Sequence, residues 1–325
     1  MQRPLTDSFA EKLESLCSGA ASRAVAVALS GGPDSLALTL LLQAHCPDLV
    51  ALTIDHGLRK ESAAEAESVA AMMRRRKIAH VTLKIKAKPP TANFMEWARR
   101  QRYALLLKYC REHGIADLFV AHQLADQVET FFLNLERGSG LRGLGGMQEI
   151  SVVEGVRIIR PLLEVPKPAL EAYLRKKRMQ AIVDPTNENL HFKRNRLRQG
   201  LAEIFAENAV LPERVAQAMR HLRQADGFIA VQVEQAVLQL FQIEANGVRF
   251  SHSHFVELHP LLKFHVLLRG LMLVSGKAKP PRAEQIEALI QRISEDAKAF
   301  TLHGVRGAKK KAVWLLSKEK VGAPS

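Results

Sequence analysis

A chain of 325 residues, 47% hydrophobic and 25% charged, is long enough for about two domains with proper cores, which excludes a disordered polypeptide. Lys+Arg 47 against Asp+Glu 33 leave a net charge of +14, which favours a polyanionic partner such as nucleic acid. Cys17, Cys46 and Cys110 are too few and too far apart for a disulfide framework or a paired-cysteine metal motif, and no apolar run reaches the roughly 20 residues of a membrane span, so a reduced, cytoplasmic protein is expected.

Residues 24–29 form a short alanine- and valine-rich strand that runs into Ser30-Gly31-Gly32-Pro33-Asp34-Ser35, and 35–44 reads as a buried helix. A strand at 49–55, a polar-faced helix at 61–77 and a strand at 80–86 follow. Then come a long helix across 92–113, a strand at 117–121, a helix over 126–136 and a strand at 156–163. Helix 167–178 and a short strand at 181–183 close the series. This alternation predicts an α/β fold, a parallel sheet with helices on both faces. From Asn195 to about Leu240 the period is helical, with Pro212 a helix start; helices fit 258–275 and 283–296, and 299–318 reads as two strands around a basic turn. The boundary is expected at 205–212, giving a catalytic domain over 1–208 and a smaller, mostly helical, RNA-contacting domain over 209–325.

In parallel sheets, ligands sit beyond the carboxyl ends of the strands. The residues that invite attention, 30–35, 55–59, 122–127 and 184–187, all fall there. Gly31 and Gly32 let the backbone approach a ligand, and the following helix start favours a phosphate. Pro33 suits the turn into the helix, Ser30 and Ser35 offer hydroxyls, and Asp34 is a candidate cap or Mg²⁺ ligand. The loop lacks the lysine that reaches a γ-phosphate in a Walker motif. A grip on pyrophosphate without that lysine suits attack at the α-phosphorus of ATP.

The loop resembles the signature of the PP-loop (N-type) ATP pyrophosphatases, and the segments after it are similar to the tRNA(Ile)-lysidine synthetase family. They are Asp55-His56-Gly57-Leu58-Arg59 with Ser62 and Glu65, and Glu96-Trp97-Ala98-Arg99-Arg100-Gln101-Arg102-Tyr103. Next come His122 with Asp126-Gln127, Arg137-Gly138-Ser139-Gly140-Leu141 with Gly143-Leu144, and Arg160-Pro161-Leu162-Leu163. Asp184-Pro185-Thr186-Asn187 and Arg194-Asn195-Arg196-Leu197-Arg198 complete the series, which is dense over about 22–200. The family usually carries a second histidine and a second aspartate where Gln123 and Ala125 stand, a departure that predicts weaker Mg²⁺ or lysine affinity.

The resemblance implies ligation of free L-lysine to C2 of the wobble cytidine of tRNA(Ile), with ATP and Mg²⁺, and allows a homodimer. It assigns catalysis to Asp34, Arg102, His122 and Asp126, and nucleotide binding to 30–35, Asp55 and His56. Arg59, Glu129, Arg137, Gly138, Ser139, Asp184, Asn187, Arg194, Arg196 and Arg198 are the substrate- or RNA-contacting candidates. The basic runs 74–77, 175–178 and 309–311 form a candidate tRNA track. Competing expectations are another PP-loop enzyme, such as a tRNA thiolase needing reactive cysteines, and a non-catalytic RNA-binding relative.

Overall fold

The computed structural model describes residues 3–55, 60–90, 92–182 and 193–319, which divide into two compact units, Met1–Arg223 and Gln224–Ser325. The division falls inside a helix rather than in a linker.

The first unit opens with α1 (Leu5–Leu16), β1 (Val25–Ala28), α2 (Pro33–Gln43), β2 (Leu49–Asp55), α3 (Lys60–Arg75) and β3 (Ala79–Lys84). It continues through α4 (Phe94–Glu112), β4 (Asp117–Phe119), α5 (Leu124–Glu136), the single turn α6 (Leu141–Leu144), β5 (Ile150–Val153) and β6 (Val156–Ile159). Helices α7 (Lys167–Lys176), α8 (Lys193–Glu207) and α9 (Leu211–Leu240) follow, the last crossing into the second unit. The sheet order is β3-β2-β1-β4-β6-β5, parallel except for the edge strand β5, which pairs antiparallel with β6. β6 falls in the strand expected at 156–163, whereas β5 was not legible, because 150–153 is too short and too exposed to carry a pattern. At 181–182 no strand forms; the Ile182 N–H donates instead to the Gly31 carbonyl at 2.9 Å.

The sheet is covered on both faces. Val25 and Val27 of β1 enter a core built with α1, α2, α3 and α7, whereas Ala26 enters a second core with Leu106, Leu107 and Cys110 of α4. This is the period-two alternation of a central strand, with small side chains where two layers press on it. Every residue from Ser35 to Leu42 in α2 is buried, so this helix is apolar nearly all round. The Thr39 hydroxyl in its interior donates back to the Ser35 carbonyl at 2.8 Å.

At the amino ends of the strands sits a buried carboxylate, Asp117, with no exposure. It accepts from Arg23 Nε at 2.9 Å, from Arg157 Nε and Nη2 at 2.6 and 2.8 Å, and from the Cys17 thiol at 3.1 Å. Burial opposes its charge, but these hydrogen bonds and the two guanidinium groups hold its pKa below the ordinary carboxylate value. The cluster ties the end of α1, the start of β1, β4 and β6 together.

The second unit holds β7 (Gln242–Glu244), β8 (Gly247–Ser251), α10 (His252–Glu257), α11 (Pro260–Ser275), α12 (Ala283–Ser294), β9 (Ala299–Leu302), β10 (Val305–Lys310) and β11 (Val313–Lys318). The expected helices are present, but 299–318 makes three strands rather than two, and β7 and β8 join them in a five-stranded antiparallel sheet ordered β7-β8-β11-β10-β9. The two-residue β7–β8 turn is Ala245-Asn246, with Gly247 opening β8, and it follows closely on the long helical period that ends at Leu240. Trp314, Phe250, Phe255 and Phe300 are buried in its core. A Cβ at Gly307 would lie 2.2 Å from the Phe300 ring across the β9–β10 pair, so only glycine fits there.

Replacing Asp117 with alanine leaves two guanidinium groups without their carboxylate, and should cost about 3 kcal/mol in urea unfolding at pH 7. Because the folded pKa of Asp117 is depressed, its contribution is present above the ordinary carboxylate range and fades as pH falls through the folded value. The wild-type and D117A unfolding curves should therefore converge in acid.

Candidate active site

The strand order reverses between β1 and β4: the chain moves outward from β1 to β2 and β3, then returns to place β4 on the other side. The crevice at such a switch point is where open α/β sheets bind ligands. Two loops face it, 29–33 after β1 and 120–123 after β4.

The first loop is shaped by steric exclusion. Gly31 has φ +85°, and a Cβ there would come within 2.9 Å of Val69 Cγ2 and 3.1 Å of Ile182 Cδ1. Any side chain would be both strained and crowded. The two serines differ in role. The Ser35 hydroxyl is buried, donates to the Gly32 carbonyl at 3.0 Å and accepts from the Ser30 N–H at 3.2 Å, so it shapes the loop from inside. Ser30 is exposed, with its hydroxyl 3.1 Å from that of Ser35 and 3.4 Å from the Gly32 N–H. Pro33 begins α2, whose first-turn N–H groups open onto the crevice as an anion-favouring end.

Asp34 lies in that first turn, and its Oδ1 is buried without a hydrogen-bond partner. Desolvation, aided by the charge of Asp126, lifts its pKa to about 6, against the pull of Lys167 and Arg198. A buried, unpartnered carboxylate oxygen at a phosphate-binding turn suits Mg²⁺, which commonly takes one or two carboxylates and completes its shell with phosphates and water. Among the described residues no group of three or more His, Cys, Asp or Glu side chains stands ready to hold a metal alone.

The second loop presents His122, whose Nδ1 is also buried without a partner. Desolvation, and then the positive charges of Arg160, Arg99, Arg102 and Arg194, depress its pKa to about 3. His122 is therefore a neutral imidazole with a free ring nitrogen at any physiological pH. Arg102 on α4 is half-buried, its guanidinium carbon 5.4 Å from the Tyr103 ring centroid, and desolvation lowers its pKa.

Behind His122, α5 begins with a reciprocal cap. Gln123 Oε1 accepts from the Ala125 N–H at 2.7 Å, and Asp126 Oδ2 accepts from the Gln123 N–H at 3.0 Å. One turn on, Glu129 is buried and accepts from Arg194 Nε at 2.5 Å and Arg198 Nε at 2.7 Å, while Arg194 Nη2 reaches Asp126 Oδ1 at 3.0 Å. Helix α8 is thus clamped to α5 through carboxylates. Gln127, also buried, exchanges two hydrogen bonds with the Met147 backbone, both 2.8 Å.

Asp34, Arg102, His122, Asp126, Glu129, Arg194 and Arg198 accordingly belong to one neighbourhood, linked by the contacts and mutual charge effects just described. Asp55 is buried at the end of β2, on the far side of β1 from β4. Arg137 and Gly138 are exposed in the turn closing α5, and Ser139 is half-buried beneath Gly143. Arg196 is exposed on α8. His56, Arg59, Asp184 and Asn187 lie outside the described residues. Arg160 was legible only as part of a motif and carried no role, yet it is the charge that acts most strongly on His122. The basic runs 74–77 and 175–178 end α3 and α7, helices that return to the amino ends of the strands. Arg76 Nη2 meets the Lys177 carbonyl there at 3.2 Å. Those runs are at the opposite end of the sheet from the crevice.

The PP-loop domain family matches residues 5–204. The tRNA(Ile)-lysidine synthase of Methylobacterium nodulans is 36% identical over 89% of this chain and 86% of its own length. That of Novosphingobium aromaticivorans is 36% identical over 90% and 88%. The chain belongs to the tRNA(Ile)-lysidine synthase family. Among solved structures, the U34-tRNA thiolase NcsA of Methanococcus maripaludis, with its [4Fe-4S] cluster, superposes with a TM-score of 0.58 at 17% identity, covering 67% of this chain and 78% of that one, a likeness of fold.

Within the tRNA(Ile)-lysidine synthase family pattern, the two departures now have a local physical account. Gln123 has become the amino-terminal cap of α5, and Ala125 contributes its N–H to that cap. The charge of Asp34 is held at a cost, because a raised folded pKa means that the native state binds a proton more tightly than the unfolded chain does. Asp34→Asn should therefore raise the melting temperature of the ligand-free protein at pH 7.5. The gain should shrink as pH falls through 6 toward 4, where wild-type Asp34 is already protonated; a constant gain across that range, read by differential scanning fluorimetry, would contradict the assignment.

Proposed function

We propose that this chain ligates L-lysine to C2 of the wobble cytidine in the anticodon of tRNA(Ile), consuming ATP and releasing AMP and pyrophosphate. The reading rests on membership of the tRNA(Ile)-lysidine synthase family together with one structural observation. A glycine-built turn at a helix start and two buried, unpartnered polar atoms, Asp34 Oδ1 and His122 Nδ1, face the switch-point crevice.

The chemistry has two demands. Adenylation of the cytidine C2 oxygen needs the pyrophosphate held and its departing charge balanced. The second step needs a neutral amine, yet an alkylammonium of pKa about 10.4 is neutral in only about one molecule in 2,500 at pH 7. Loop 30–35 and the start of α2 supply the grip, and Asp34, charged above about pH 6, would hold Mg²⁺ against the phosphates. That ion would supply charge neutralisation at the leaving pyrophosphate. Arg102 faces the developing negative charge from α4. His122, neutral with Nδ1 unpartnered, is suited to accept a hydrogen bond from the amine, and Asp126 is the carboxylate that receives the proton as the C2–N bond forms and the C2–O bond to AMP breaks.

Asp126 and Glu129 give the crevice its negative side, the side that favours an ammonium group. In the free protein Arg194 and Arg198 balance them. The exposed arginines of α8 supply positive charge at the crevice end of the sheet for a splayed anticodon. A thiolase reading lacks support: Cys17, Cys46 and Cys110 are all buried free thiols on separate elements.

Incubation with ATP, Mg²⁺, radiolabelled lysine and a tRNA(Ile) transcript should put label into the RNA and form AMP in equal amount. tRNA binding without label would support a non-catalytic RNA-binding relative instead. Asp34→Ala should abolish AMP formation in the same assay, and near-normal turnover would show the phosphate site to be elsewhere.

A further inference from the structure

Arg160 follows directly after β6 and is 9% exposed. Its backbone N–H donates to the Glu149 carbonyl at 2.8 Å, and its Nη1 donates to the Gln148 carbonyl at 2.9 Å and to Ser151 Oγ at 3.1 Å. Those neutral acceptors, all from the β5 side, fix the plane of the guanidinium. Its Nε is buried with no partner, and among the described residues no carboxylate pairs with it. A buried cation without a counter-ion is costly and rare, because desolvation is not repaid. Glu129 and Asp117, two buried acids of this unit, are each met by two arginines. Arg160 stands out against that pattern.

Its surroundings say what it is built to receive. Tyr103 is the neighbour that favours the charge of both Arg102 and Arg160, so the two guanidinium groups flank one phenol. Arg160 is also the strongest charged influence on His122. Two desolvated guanidinium groups and a neutral imidazole therefore gather at the carboxyl ends of β4 and β6. Among the described residues, three of the four buried side-chain atoms without partners, on Asp34, His122 and Arg160, belong to the first turn of α2 and to the segments just after β4 and β6, at this end of the sheet. With Nη1 taken up by the β5 side and Tyr103 also bonded to the group, Nε is the N–H left without a partner; a guanidinium N–H matches a phosphate oxygen, and the depth of this one suits a compact nucleotide better than a polymer backbone.

We propose that Arg160 is a phosphate-contacting residue which, with Arg102 across Tyr103, grips a phosphate of ATP in the crevice. The inference rests on the proposed ATP-dependent ligation and adds to it a second guanidinium on the reacting nucleotide. The neutral acceptors on its far side hold it in place before the nucleotide arrives, and Ser151 is a positioning residue for it.

The test compares wild type with Arg160→Met and Arg160→Lys. Calorimetry measures the binding of α,β-methylene-ATP with Mg²⁺ and, separately, of a tRNA(Ile) transcript; melting temperature checks the fold. Arg160→Met should bind the nucleotide analogue at least tenfold more weakly, with tRNA affinity unchanged and a melting temperature equal to or above that of wild type. Arg160→Lys, charged but without the planar fork, should recover only part of the nucleotide affinity. Wild-type nucleotide affinity in Arg160→Met overturns the inference. So does a lower melting temperature in both variants with the nucleotide loss tracking it, which would make Arg160 structural. Loss confined to tRNA binding also overturns it. If wild type itself binds neither ligand, the proposed ligation fails as well, so the two failures are distinguishable.

Discussion

Desolvation without compensation is the constraint on which the catalytic unit turns. Nearly every buried polar group that shapes its framework has a partner: Thr39, Gln123, Gln127, Glu129 and Asp117 all do. The exceptions among its described residues, Asp34 Oδ1, His122 Nδ1 and Arg160 Nε, come from the segments that follow β1, β4 and β6 at their carboxyl ends, Asp34 from the first turn of α2. Leaving them unpaired destabilises the free protein and makes each one a stronger ligand for charge that arrives later. The same burial pushes a carboxylate up to about 6 and an imidazole down to about 3, so the protonation state of each is set by environment rather than by residue type.

That arrangement is held by the rest of the unit. α2 is buried nearly all round and so cannot tilt its first turn away from the crevice. Gly31 allows the close approach of Val69 and Ile182 that closes the turn from behind. At the other end of the sheet, Asp117 gathers two arginines and a thiol and fixes β1, β4 and β6 where their amino ends meet. One end of the sheet is thus fully satisfied electrostatically, and the other is deliberately left open.

Much of this was legible from sequence. The alternation of strands and helices, the glycine turn before α2 and the clustering of suspicious residues at strand ends give the architecture and the crevice. The edge strands β5 and β7 were not, since short exposed strands carry too few residues for a period. Nor was the role of Gln123. A glutamine before Leu124 reads as the loss of a histidine, and only the 2.7 Å contact to the Ala125 N–H reveals a helix cap. The placement of the basic runs was hidden for a related reason. Charge is visible in sequence, but which end of the sheet it decorates depends on helix direction. Arg160 is the opposite case: the sequence shows the motif, and burial alone shows that the guanidinium has no counter-ion.

The central claim is that the crevice directs attack at the α-phosphorus of ATP by the oxygen of an RNA base. Omitting lysine isolates that step. With ATP labelled at the α-phosphate, tRNA(Ile) transcript and Mg²⁺, label should be retained on the RNA after separation and should leave as AMP when lysine is added. Label transferred from the γ-phosphate instead, or none retained from either position while tRNA and nucleotide both bind, would contradict the account.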